Sequence, residues 1–212
     1  MEESKYLKLA RQAREEDNAE DAKNYYNKVR EEDPENGEAK FFAAYFAMQD
    51  GTNGELPRRF SNLCSSVVPA VRLIKNSQAE KGEQLKATEL IVNAFVPETW
   101  AENKYMNELN HKDKVGDSYV QVFSYTQIKN VCKAGMETLR DLGDEIVKLY
   151  FKDAEATRIA VIAWKEYVSL SQTWYAYAVK GDAELYAAKI KDFDPSYVMP
   201  KKAFCISFGK KQ

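Results

Sequence analysis

The sequence predicts an all-α fold, and three observations carry that prediction. Apolar residues recur with a helical period in nearly every segment. Glycine (9) and proline (6) are scarce among 212 residues, against the turn density of a β-rich or tightly looped α/β chain. Strand-like alternation is confined to Phe204, Ile206 and Phe208 near the C-terminal end. With 44% hydrophobic and 30% charged residues, the composition is globular, and the chain is long enough to bury a core without metals or disulfides. The expected helix content is above roughly 65%.

Taken in order, residues 5–16 form a first helix, Asp17-Asn18 a turn, and residues 20–32 a second helix that ends before Pro34. Residues 37–49 form a third, and Asp50-Gly51-Thr52-Asn53-Gly54 reads as a loop. Pro57 suits the first turn of a fourth helix, along which Phe60, Leu63, Val67, Ala70 and Ile74 follow at steps of three and four. Pro69 is expected to kink it. A fifth helical region spans about 78–110, with Pro97 as a break or bend, and His111–Asp117 connects it to a helix beginning near residue 118. In that sixth helix Ile128, Cys132, Gly135, Leu139, Leu142, Ile146 and Leu149 form a heptad stripe, which needs an apposed helix to bury it. The next helix, about 154–180, carries Ala163, Tyr167, Leu170, Trp174 and Tyr177 on one face and Val161, Trp164, Val168, Tyr175 and Val179 on another, so it meets more than one neighbour. Residues 182–193 close the bundle before Asp194-Pro195.

Tyr6-x2-Leu9-Ala10-x2-Ala13, followed by Ala22-x3-Tyr26-x2-Val29 and Pro34, resembles a tetratricopeptide repeat (TPR). A shift of 34 residues keeps a fainter copy, mapping Ala10 to Ala44, Tyr26 to Phe60 and Val29 to Leu63. The resemblance covers about 70 residues. It implies close antiparallel helices meeting at Ala10 and Ala22, with Tyr6, Leu9 and Tyr26 in the seam. Two copies cannot close a core alone. The expected organisation is therefore TPR-like helical hairpins over 1–76, continuing into an antiparallel long-helix bundle over 77–195 that packs on them, and a tail over 196–212. The segment Ile190–Tyr197 and the Tyr-rich helices before it also resemble bacterial proteins of undefined function that join such hairpins to a helical bundle.

Three cysteines, Cys64, Cys132 and Cys205, form neither a disulfide framework nor a CxxC site and are expected as buried thiols. The charged start lacks the apolar core of a signal peptide, and the longest apolar run, Phe41–Met48, is far too short for a membrane span. The expected location is cytoplasmic, with no membrane insertion. A net charge of −2 gives no global positive field, so no nucleic acid is expected as partner. Charge is uneven, however: residues 1–40 hold 8 Lys/Arg against 12 Asp/Glu, while Lys201, Lys202, Lys210 and Lys211 stand in a C-terminal stretch without acids. The tail is expected to cover part of the helical surface, on its own chain or on a second copy as a homodimer.

The motif search points away from catalysis. Glu108-Leu109-Asn110-His111 is a single ExxH, and with one histidine in the chain the paired di-iron site cannot form. GxSxG, HExxH and phosphate-loop patterns are absent from the sequence. The acidic clusters Glu15-Glu16-Asp17 and Glu31-Glu32-Asp33 fall at helix ends, where solvent exposure is expected, whereas a general acid needs burial. No catalytic residue, metal or cofactor is assigned. The TPR resemblance implies a peptide groove at Leu7, Arg11, Arg14, Phe41, Tyr45 and Met48. The family's carboxylate clamp is missing, because its Asn position reads Arg11 and then Tyr45. The expected function is a non-catalytic protein-interaction or scaffold module, taking an acidic-apolar segment of a protein or peptide partner. The alternative is a bundle with an aromatic pocket that senses a small ligand or acts as a divergent enzyme.

Overall fold

The computed structural model describes residues 4–50, 55–108, 113–115, 118–120, 124–174 and 178–202. Helix α1 (Lys5–Glu15) ends where Asp17 turns left-handed, at φ 55°, and α2 (Ala19–Glu32) folds back along it. Asn18 caps α2 by accepting from the Asp21 N–H, and Asn36 caps α3 (Gly37–Gln49) by accepting from the Ala39 N–H. Helix α4 (Leu56–Asn76) starts with Pro57 in its first turn. Helix α5 (Lys81–Glu108) follows. The strands β1 (Asp113–Val115) and β2 (Ser118–Val120) pair antiparallel, with Lys114 opposite Tyr119. Among the described residues α6 (Tyr125–Leu149), α7 (Ala154–Thr173) and α8 (Asp182–Lys191) follow.

The all-α class holds, with one small ribbon added. The segment expected as a plain connection contains β1, β2 lies where the sixth helix was expected to begin, and α6 starts at Tyr125 rather than near residue 118. Its start is fixed by a capping box, in which the Ser124 hydroxyl accepts from the Gln127 N–H and the Gln127 side chain accepts from the Ser124 N–H. Such a box overrides weak periodicity upstream. Both internal prolines, Pro69 in α4 and Pro97 in α5, lie inside unbroken helices. Helix α7 ends at Thr173, short of residue 180, and Val179 is 47% exposed instead of joining a second apolar strip. Tyr175, Tyr177, His111, Cys205 and the alternating tail lie outside the described residues.

One hydrophobic core runs without interruption from Leu7 in α1 to Ile190 in α8. Helices α1 to α4 pack in succession, α4 lies on α6, α6 on α7 and α7 on α8, while α5 leans on α4, α6 and α7. Two glycines set close approaches. A Cβ on Gly37 would lie 2.3 Å from the Ala70 carbonyl oxygen, so glycine lets α3 rest on the backbone of α4. A Cβ on Gly143 would lie 2.4 Å from Nε1 of Trp164, so α6 leaves room for that indole. Cys64 and Cys132 are buried. Among the described residues no helix is long and apolar enough to cross a membrane.

The heptad stripe is interior from Ile128 to Ile146, with Leu139 fully buried between α6 and its neighbours. Leu139→Ala should cost about 2–5 kcal/mol. Urea denaturation checks this, and a loss under about 0.5 kcal/mol would contradict the burial.

Candidate functional site

Of the seam that the repeat resemblance implies, Ala10, Ala22 and Tyr26 are buried, whereas Tyr6 and Leu9 are half-buried. Leu7, Ala10 and Ala13 form the buried stripe of α1 and meet Ala22, Tyr26 and Val29 of α2. Tyr6 lies at the edge of that seam, where its ring stacks on Tyr25 of α2 at 6.4 Å. The stripe follows the three-residue spacing that puts Leu7 over Ala10 and Ala13. Leu7 therefore faces the core and not a groove.

The other predicted groove residues separate into two groups. Phe41 and Met48 are core residues, 0% and 3% exposed, so with Leu7 they are removed from any open surface. Arg11 and Arg14 converge on Glu38 in the first turn of α3. Arg11 donates from Nε to both carboxylate oxygens at 3.0 Å and from Nη2 to Oε2 at 2.6 Å. Arg14 donates from Nη1 to Glu38 Oε1 at 3.0 Å and to the Tyr26 hydroxyl at 2.7 Å. Tyr26 in turn donates to Glu38 Oε1 at 2.9 Å. The Arg14 guanidinium also lies 4.6 Å from the Phe42 ring centroid. Burial alone would raise the Glu38 carboxyl, but the bonds and charges of Arg11 and Arg14, with the Tyr26 bond, hold it below its ordinary value. Burial first, and then the Glu38 charge, raise the Tyr26 hydroxyl. The two arginines that were expected to attract an acidic partner are thus neutralised inside the fold.

Arg14 and Tyr45 do meet at a cavity. Helices α3 and α5 barely touch, and a crevice of about 360 Å³ opens between them, beside the α1–α2 turn. Phe42, Tyr45, Phe46, Leu90 and Ala94 form its apolar walls. Asp17, Ala19, Gln49 and Asn93 line it from exposed positions. One turn beyond Ala94 on α5, Glu98 is within hydrogen-bonding range of Tyr45 and Gln49. Burial raises the Glu98 carboxyl above its ordinary value, against those two bonds, and burial also raises the Tyr45 hydroxyl. A further turn along, Glu102 is 9% exposed and its Oε2 has no hydrogen-bond partner. Burial, and then the charge of Glu98, push the Glu102 carboxyl up to about 7, against the pull of Arg59.

Sequence reasoning missed Glu38, Glu98 and Glu102. The signal for Glu98 and Glu102 was weak: an i,i+4 carboxylate pair reads as a solvated helix face until a neighbouring helix is known to cover it. Glu15, Glu16, Asp17, Glu31, Glu32 and Asp33 are all exposed, as their helix-end positions imply. Among the described residues no group of three or more His, Cys, Asp or Glu side chains gathers as a metal would need. No protein-family model, no curated protein and no solved structure matches this chain, so the crevice stands on its own geometry.

Proposed function

We propose that this chain is a non-catalytic interaction module whose contact surface is the crevice between α3 and α5. One observation carries the reading: a crevice floored by buried Phe42 and Phe46 is walled by half-buried Tyr45, Leu90 and Ala94, with a carboxylate and two amides exposed at the rim. Such a surface suits the side chains of a peptide segment, with apolar contacts supplying affinity and rim groups fixing register. The internal pairing of Arg11 and Arg14 with Glu38 changes the expected partner. Asp17 and Glu98 remain as the charges beside the crevice, so a basic-apolar segment fits better than an acidic one.

A second reading is favoured by Glu102, whose buried carboxyl titrates near neutrality close to an aromatic cavity. Perturbed carboxyls of that kind mark small-ligand or catalytic pockets as well as structural sites. An array of 12-residue peptides varied in charge and aromatic content separates the two. Asn93→Trp fills the crevice from an exposed position. The expected result is retention of basic-apolar peptides by the native chain and a loss of about tenfold in the variant, equivalent to about 1.4 kcal/mol. Equal retention by both proteins would overturn the proposal. A melting-point rise with a small-molecule panel, removed by Asn93→Trp, would establish the second reading instead.

A further inference from the structure

Resting on the crevice as the binding surface, we infer that its resident occupant is the chain's own C-terminal segment, residues 200–212, docked in cis. Three observations meet here. The first is chemistry. Pro200-Lys201-Lys202-Ala203-Phe204-Cys205-Ile206-Ser207-Phe208-Gly209-Lys210-Lys211 carries four lysines, two phenylalanines, one isoleucine and no acid. It is the basic-apolar composition that the crevice, with Asp17 and Glu98 and with its arginine already paired, accepts.

The second observation is where the described chain ends. After α8 the backbone turns onto α7. Asp194 accepts from Lys165 Nζ at 2.7 Å, and the Tyr197 ring lies 5.5 Å from the same ammonium. Met199 packs against the core. The next residue of α7, Glu166, accepts from the Trp100 indole of α5 at 2.8 Å. The segment therefore leaves from the place where α7 meets α5.

The third is reach. Trp100 and Asn93 are seven residues apart, on the same face of α5. They are separated by about 10 Å along the axis. The ten residues after Lys202 span up to about 35 Å when extended. Phe204, Ile206 and Phe208, spaced by two in the sequence, are the apolar groups that the crevice walls would take, and the lysines are the charges that Asp17 and Glu98 would take. The function that follows is self-masking: a partner segment of the same chemistry gains the crevice by displacing the tail.

Native Cys205 makes this testable in the full chain, because Cys64 and Cys132 are buried. Asn93→Cys places a thiol in the crevice. Leu185→Cys, at an exposed position on α8, is the control. It is nearer to Cys205 in sequence and so favoured by chance encounter. After mild oxidation, mass spectrometry should find the 93–205 disulfide in monomer at least fivefold above the 185–205 disulfide. Equal or lower yield, or a linked dimer in place of monomer, would overturn the inference. A second variant, Phe204→Ser with Ile206→Ser and Phe208→Ser, empties the crevice without touching the described fold. It should bind a free peptide of residues 200–212 at least fivefold tighter than the native chain does. Equal binding by both overturns self-masking while leaving the crevice as a binding surface. Failure of that peptide and of every array peptide to bind either protein removes the crevice function itself.

Discussion

Glu38→Ala should lower the unfolding free energy by about 3–5 kcal/mol, although its side chain is a charged one in the first turn of a helix. The Glu38 side chain is only 6% exposed, and removing it leaves the fully buried Tyr26 hydroxyl without its acceptor and Arg14, 17% exposed, without its counter-charge. Arg11, 41% exposed, rehydrates and limits the loss. The size of the effect comes from uncompensated buried groups and not from the attraction of the pair. Urea denaturation at neutral pH measures it, and a loss below about 1 kcal/mol would show that water replaces the cluster. The cluster also predicts an acid response. The folded carboxyl sits below its unfolded value near 4.3, so its contribution is complete above that pH and is lost as pH falls through the folded pKa. Melting temperature should therefore drop less steeply with acid in Glu38→Gln than in the native chain.

Trp164→Ala should cost a similar amount, about 3–5 kcal/mol, and lower the melting temperature by roughly 6–20 °C. The indole is fully buried where α6, α7 and α8 meet. Its Nε1 donates to Asp144 Oδ1 at 3.1 Å, and Asp144 also accepts from Lys189 Nζ at 2.6 Å and from the Tyr186 hydroxyl. Lys189 Nζ stands 4.0 Å from the ring centroid. Truncation therefore opens a large void and strips one side of a polar junction. Trp164→Phe keeps most of the volume and should lose about half as much, the remainder reporting the Asp144 bond. Differential scanning calorimetry on both variants checks the pair, and equal losses would assign the whole effect to the hydrogen bond.

Long-range order was legible where one periodicity had one solution. The α6 stripe from Ile128 to Ile146, the start of α4 at Pro57 and the α1–α2 turn all follow from spacing or turn chemistry. The errors fall where two local signals competed. Upstream of α6, weak apolar spacing favoured helix, but Ser124 and Gln127 fixed the start later. In α1, Ala10 was expected in the seam and is buried there, but packing chose Leu7 and Ala13 beside it over Tyr6 and Leu9. That rotation moved Leu7 inward and placed Arg11 and Arg14 against Glu38. The crevice itself was illegible, since it depends on how far α5 diverges from α3, which no residue pattern encodes. Tyr45 and Arg14 were reached through the repeat spacing, whereas Asn93, Glu98 and Glu102 required the tertiary fold.

Pro97 inside α5 has a consequence for the crevice. Proline has no N–H, so the carbonyl of Asn93, four residues earlier, lacks its α-helical donor. Asn93 is exposed at the crevice rim. The backbone thus adds an acceptor there whose position is set by the imino acid a turn away and not by the Asn93 side chain. Substitution at residue 93 leaves that carbonyl in place, and only an N–H restored at position 97 would give it the helical donor it lacks.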